Sequence, residues 1–113
     1  IVLISDSMRA TGMPDGRYSL GGLDVDVKGN RATLTSDGAL AGSATNLMDC
    51  MRTAVQEMGI PLETAVACAT INPAKSLGVE KQYGSISPGK QADLVLLDKD
   101  LKLQQVIKSG TLI

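Results

Sequence analysis

The sequence contains no histidine, no phenylalanine and no tryptophan, and only two tyrosines among its 113 residues. Without histidine, the chain cannot supply a Ser-His-Asp triad or an imidazole-rich zinc site from its own residues. Without Phe or Trp, its core has to be aliphatic and methionine-based, which is odd for an independent domain of this size. Its two cysteines, Cys50 and Cys68, fall inside apparent helices and lack C-x-x-C spacing. They read as reduced, small core hydrophobes of a cytoplasmic protein rather than as a disulfide framework. No run of about eighteen apolar residues occurs, which excludes a transmembrane helix. Eleven Lys and Arg against twelve Asp and Glu leave a formal charge of −1, so neither nucleic acid nor an anionic membrane is expected as a partner.

What is present has the order strand, hairpin, helix, helix and a short all-β block. Ile1-Val2-Leu3-Ile4 is continuously apolar and mostly β-branched, the pattern of a strand buried on both faces of a parallel sheet. It stops at Ser5-Asp6-Ser7, and a Gly- and Pro-bearing loop follows to Gly22. Leu23 to Lys28 alternates apolar and polar, and Gly29-Asn30 can turn the chain into Arg31–Thr35, a hairpin over 23–35. Gly38 to Ser43 is small and flexible. Leu47, Met51, Val55 and Met58 then recur at helical spacing with Met48 and Ala54 beside them, predicting a helix over 43–59 capped by Ser43 or Thr45 and closed at Gly59. The spacing predicts more helix over 61–77, with Leu62, Ala65, Val66 and Ala69 inward and a break at Asn72-Pro73. Beyond Gly84 the character is β, with strands at 92–98, 104–108 and 111–113. A lone parallel strand cannot satisfy its own backbone, so 1–4 needs neighbours, and the chain is expected to be part of something larger.

Asp6 is the leading candidate for chemistry, because a carboxylate just past the end of an apolar strand stands where α/β barrels and open α/β sheets place catalytic groups. The same position suits an Asp that merely caps a turn. Arg9 and Arg17 could hold an anionic substrate group, or simply be solvated. Asp24, Asp26, Asp98 and Asp100 read as solvated, and Met48, Met51 and Met58 as core rather than ligands. Gly38 to Ser43 leads towards a helix N-terminus and is small enough for a ligand to approach its backbone, or for tight packing alone. It lacks the lysine and the spacing of a P-loop.

The strings MDCMRTAVQEMGIPLETAVACATINPAKSLGV, GSISPGKQADLVLLD and IKSGTLI together resemble the C-terminal end of the amidohydrolase superfamily. The narrower pair, LISDSMRATGMPDGRYSLGG with GALAGSATNLMDCMR, is similar to the N-acetylglucosamine-6-phosphate deacetylase family, and the likeness runs over essentially the whole chain. The resemblance implies an α/β fold: residues 1–83 as the C-terminal portion of a β/α (TIM-like) barrel, and 84–113 as closing strands of a small β-sandwich. It implies that Asp6 is the catalytic carboxylate at the end of the last barrel strand and that Leu40, Ala41 and Gly42 contact a bound sugar through their main chain. It places the metal ligands upstream, so no metal ligand is expected among these residues. A divalent metal, zinc or iron, is implied for the parent enzyme, with an amino-sugar phosphate as substrate, no nucleic acid and no membrane as partners, a homo-oligomeric state and a cytoplasmic location. The isolated 113 residues are expected to be inactive, to bind no metal tightly and to be prone to self-association. The rival expectations are a dihydroorotase-like or deaminase-like amidohydrolase, and a non-catalytic assembly fragment.

Overall fold

A computed structural model describes residues 1–113. Its elements run β1 (Gly16–Leu20), β2 (Leu23–Lys28), β3 (Arg31–Leu34), β4 (Leu40–Ser43), α1 (Leu47–Gln56), α2 (Leu62–Ala69), α3 (Ile71–Ser76), β5 (Leu94–Leu97), β6 (Leu103–Lys108) and β7 (Thr111–Leu112). This is a mixed α/β architecture with two antiparallel sheets, ordered β1-β2-β3-β4 and β5-β6-β7. The chain groups into two compact units, one of residues 4–53 and one of residues 1–3 with 54–113.

In the unit of residues 4–53, alternation along β2 sets the core. Val25 and Val27 are buried, while Asp24 and Lys28 are exposed. The register sets Val25 between Tyr18 and Leu34, and Val27 opposite Ala32, so one face of the sheet is apolar. Met8 and Ala10 complete a buried cluster with Val25, Val27 and Ala32, and Tyr18, Leu34, Ala41 and Ala44 pack on its border. On the other face Arg17 pairs with Asp26 at 3.0 Å across β1 and β2. Hydrogen bonding and charge from Arg17 hold the Asp26 carboxyl below its ordinary value. The hairpin over 23–35 thus forms as expected, but two of its neighbours were not foreseen. β1 lies in what reads as a loop, and β4 uses small residues that read as flexible.

The expected strand at Ile1–Ile4 is not part of either sheet. Ile1 is fully exposed and Ile4 largely so; no second strand lies alongside, and Leu3 N–H donates instead to the Cys68 carbonyl at 2.8 Å. Helix α1 is shorter than 43–59. Asn46 caps it, accepting from Asp49 N–H at 2.9 Å, because Ser43 is held in β4 and its Oγ accepts from Thr45 N–H. The helix ends at Gln56, so Met51 is buried, Met48 half-buried and Met58 exposed past the last turn. Of the expected inward positions on α2, Ala65 is buried and Ala69 half-buried, whereas Leu62 and Val66 are exposed. Pro73 sits inside the first turn of α3, where its missing N–H costs no helical bond. Cys50 and Cys68 are free, on helices, and half-buried rather than core.

The second sheet is held at its turns by carboxylates. Asp98 Oδ1 accepts from the N–H groups of Asp100 and Lys102, so Asp98 is a turn-forming residue and not merely solvated. Asp93 Oδ2 accepts from Lys108 Nζ at 2.8 Å, and Asp93 Oδ1 from Ser109 N–H. These bonds, the one from Lys108 foremost, lower the Asp93 pKa, and the Lys108 pKa is raised by the same partner. A carboxyl with a depressed folded-state pKa contributes stability that is fully present above its unfolded value, about 3.9, and is lost as pH falls through the folded value. The raised Lys108 value keeps its contribution intact up to about pH 10. Because the pair is exposed, the effect is small and screened by salt. The melting-temperature difference between wild type and Lys108→Met is therefore expected at pH 6 and should shrink at pH 3 and in high salt. A difference unchanged at pH 3 would contradict the ion-pair account.

Candidate functional site

Asp6 and the segment Leu40–Gly42, far apart in sequence, come together within one unit. Ser7 and Ser43 form an isolated parallel β-bridge, reinforced by Met8 N–H donating to the Ser43 carbonyl at 2.8 Å. One residue upstream on the two segments stand Asp6 and Gly42. Packing drives this meeting. Met8 is buried in the aliphatic cluster, and a Cβ on Gly42 would lie 3.8 Å from Met8 Sδ and 3.7 Å from Leu20 Cδ2. Those are ordinary contact distances, so it is the φ of 151, and not lack of space, that favours glycine at 42.

Asp6 has a left-handed backbone, φ 51, a conformation costing most L-residues about 1–2 kcal/mol but tolerated by Asp. Its side chain is exposed and makes no hydrogen bond or ion pair, so its oxygens are open to water. It does not cap the turn it occupies. Across from it, β3 and β4 are out of step. Ala32 faces Gly42 and Thr33 faces Leu40, leaving Ala41 as the extra residue of a bulge. A bulged residue interrupts the regular ladder of its strand. Leu40 is exposed, and Ala41 and Gly42 are half-buried.

Other candidates are not part of this arrangement. Arg17 is committed to Asp26, and Arg9 is exposed without a carboxylate partner. A mainly apolar cavity of about 650 Å³ lies in the other unit between Val66, Ile71, Tyr83, Ile86 and Leu94 and contains none of the site residues. The sequence points to Ser43 and Thr45 only as helix caps or part of the small 38–43 segment, and not to Ser5 or Ser7; serines flanking a turn carry no signal of a partner 38 residues away.

Residues 23–113 match the Amidohydrolase family. The chain belongs to the amidohydrolase family. Among its relatives, the N-acetylgalactosamine-6-phosphate deacetylase of Escherichia coli O157:H7 is 43% identical over 112 residues, covering 99% of this chain and 29% of that protein. The N-acetylglucosamine-6-phosphate deacetylase of Vibrio furnissii is 40% identical over 113 residues, covering all of this chain and 28% of that protein. The crystal structure of N-acetylglucosamine-6-phosphate deacetylase from Pasteurella multocida superposes with a TM-score of 0.91 at 28% identity, over 99% of this chain and 29% of that one. The chain thus spans under a third of the length of these relatives.

The amidohydrolase family is generally metal-dependent. The donor set here does not fit a metal ion: no three His, Cys, Asp or Glu side chains converge, and the chain has no histidine. No helix is long and apolar enough to cross a membrane.

Proposed function

We propose that these 113 residues are the C-terminal part of an enzyme that hydrolyses the acetamide of N-acetylglucosamine 6-phosphate to glucosamine 6-phosphate and acetate. The observation that supports this reading is the Ser7–Ser43 bridge, which brings the backbones of Asp6 and Gly42 alongside one another. On this reading 1–83 belongs to a β/α barrel and 84–113 to the closing strands of a β-sandwich. The many exposed apolar side chains, Ile1, Ile4, Leu40, Ile86 and Val95 among them, support a piece whose surface other residues cover. A divalent cation, zinc or iron, would be held by residues other than these. The working enzyme is read as a cytoplasmic homo-oligomer, and the isolated 113 residues as inactive.

Asp6 accepts a proton from a water as the water oxygen bonds to the acetyl carbon and the carbonyl π pair moves onto the carbonyl oxygen; that pair then re-forms the C=O bond as the C–N bond breaks, and Asp6 returns the proton to the amine nitrogen. One carboxylate serves both steps because it stands between water and leaving group. The main chain of Leu40, Ala41 and Gly42 holds the sugar so that amide and water meet in a reactive geometry.

A second reading rests on the 43% identity with an N-acetylgalactosamine-6-phosphate deacetylase, whose named substrate differs in sugar. Acetate release by the complete enzyme from both sugar phosphates separates the two. The first reading expects the higher kcat/KM with the gluco sugar; a preference for the galacto sugar would replace the substrate while leaving the chemistry in place. Turnover of dihydroorotate or adenine instead would select another amidohydrolase.

A further inference from the structure

We propose that Ser7 is a positioning residue for Asp6, clamping the carboxylate's direction through hydrogen bonds that reach the segment after β4. The proposal rests on the deacetylase reading and deepens it. Ser7 Oγ lies 2.5 Å from the Thr45 carbonyl and 2.8 Å from Ser5 Oγ. A hydroxyl has one proton, and a carbonyl can only accept, so Ser7 donates to Thr45 and Ser5 donates to Ser7. The hydroxyls on either side of Asp6 are thereby joined in series to the chain entering α1. Main chain reinforces the clamp on one side, where Met8 N–H donates to the Ser43 carbonyl. Between these ties Asp6 keeps its left-handed φ of 51 and a carboxylate that no hydrogen bond restrains. The backbone therefore sets where that carboxylate points, and Ser7 sets the backbone. Because the same bonds tie Asp6 to the end of β4, they fix its distance from the main chain of Leu40–Gly42.

Ser7 does not touch substrate on this account; it acts through Asp6. Misplacement of a reacting group by about 1 Å costs up to about 100-fold in rate, and a partly released loop costs less. In the complete enzyme, Ser7→Ala is expected to lower kcat about 10-fold with KM within about twofold of wild type, and with an unchanged far-UV spectrum. Ser7→Thr, which keeps the hydroxyl, should restore kcat to within about threefold. In an Asp6→Asn background, Ser7→Ala should change the residual rate by less than about twofold, because the group it positions is gone. If the residual rate falls below detection, the Ala and Thr variants decide the matter by kcat alone. If Ser7→Ala does not fold, Ser7→Cys, of similar size and far weaker as a donor, must show the kcat loss. Retained kcat in Ser7→Ala, equal losses in Ala and Thr variants, or a loss expressed only in KM overturns the proposal. Near-normal turnover in Asp6→Asn alone would instead overturn the role of Asp6, so the two failures are distinguishable.

Discussion

Asp6→Asn in the complete enzyme is expected to lower kcat by about 10²- to 10⁴-fold, the usual contribution of a positioned general acid–base group. KM should stay within a few-fold and the melting temperature should be nearly unchanged. The reasons are structural. The Asp6 carboxylate is exposed and makes no hydrogen bond or ion pair, so replacing it removes no contact that stabilises the fold. Asparagine has the same shape and, like aspartate, tolerates the left-handed backbone that position 6 adopts. The substitution therefore deletes the proton acceptor while leaving the path of the chain through Ser7 and Met8 intact. Steady-state kinetics with a thermal melt of the same preparation checks both halves. A large fall in melting temperature would mean that Asp6 is structural, and near-normal kcat would remove it from the chemistry.

The largest effect on stability is expected at Gly84. It has φ +91, and a Cβ there would stand 2.9 Å from both Ala74 Cβ and Ile71 Cα and 3.1 Å from the Thr70 carbonyl oxygen. These atoms belong to the start of α3 and the residue before it, and two of them are backbone, so they cannot swing aside. Overpacking costs about 1–3 kcal/mol, and forcing a side chain into that backbone region costs about 1–3 kcal/mol more. Gly84→Ala should therefore lose about 3 kcal/mol or more. Gly89→Ala is the matched control, since Gly89 has φ +86 but nothing within 4 Å of the added Cβ; it should lose about 1 kcal/mol from strain alone. Denaturant midpoints of the two variants check the difference, and equal midpoints would contradict the close approach of residue 84 to α3.

Where local chemistry decides structure, the sequence was legible. The hairpin follows from period-two alternation around Gly29-Asn30, and the helices follow from periodicity with Pro61 opening the second, although the first is capped by Asn46 and not by Ser43 or Thr45. What was missed depends on distant partners. Nothing in Leu40-Ala41-Gly42-Ser43 favours a strand; pairing with β3 imposes it. β1 carries only Tyr18 and Leu20 as large apolar residues and becomes a strand by pairing with β2. Ile1–Ile4 has the composition of a buried strand, yet no strand pairs with it, so it does not join a sheet. The site divides in the same way. Asp6 is a candidate by position and Leu40–Gly42 by resemblance, whereas the adjacency of the two segments depends on a bridge between Ser7 and Ser43, which no local pattern announces. The missing histidine excludes an imidazole metal site built from this chain's own residues.

The most direct test of the account follows acetate and free amine together, with N-acetylglucosamine 6-phosphate as the substrate of the complete enzyme. The account predicts acetate and glucosamine 6-phosphate in equal amounts, at a rate that collapses in Asp6→Asn. Absence of acetate release by the wild-type enzyme, or release that Asp6→Asn leaves untouched, would contradict it.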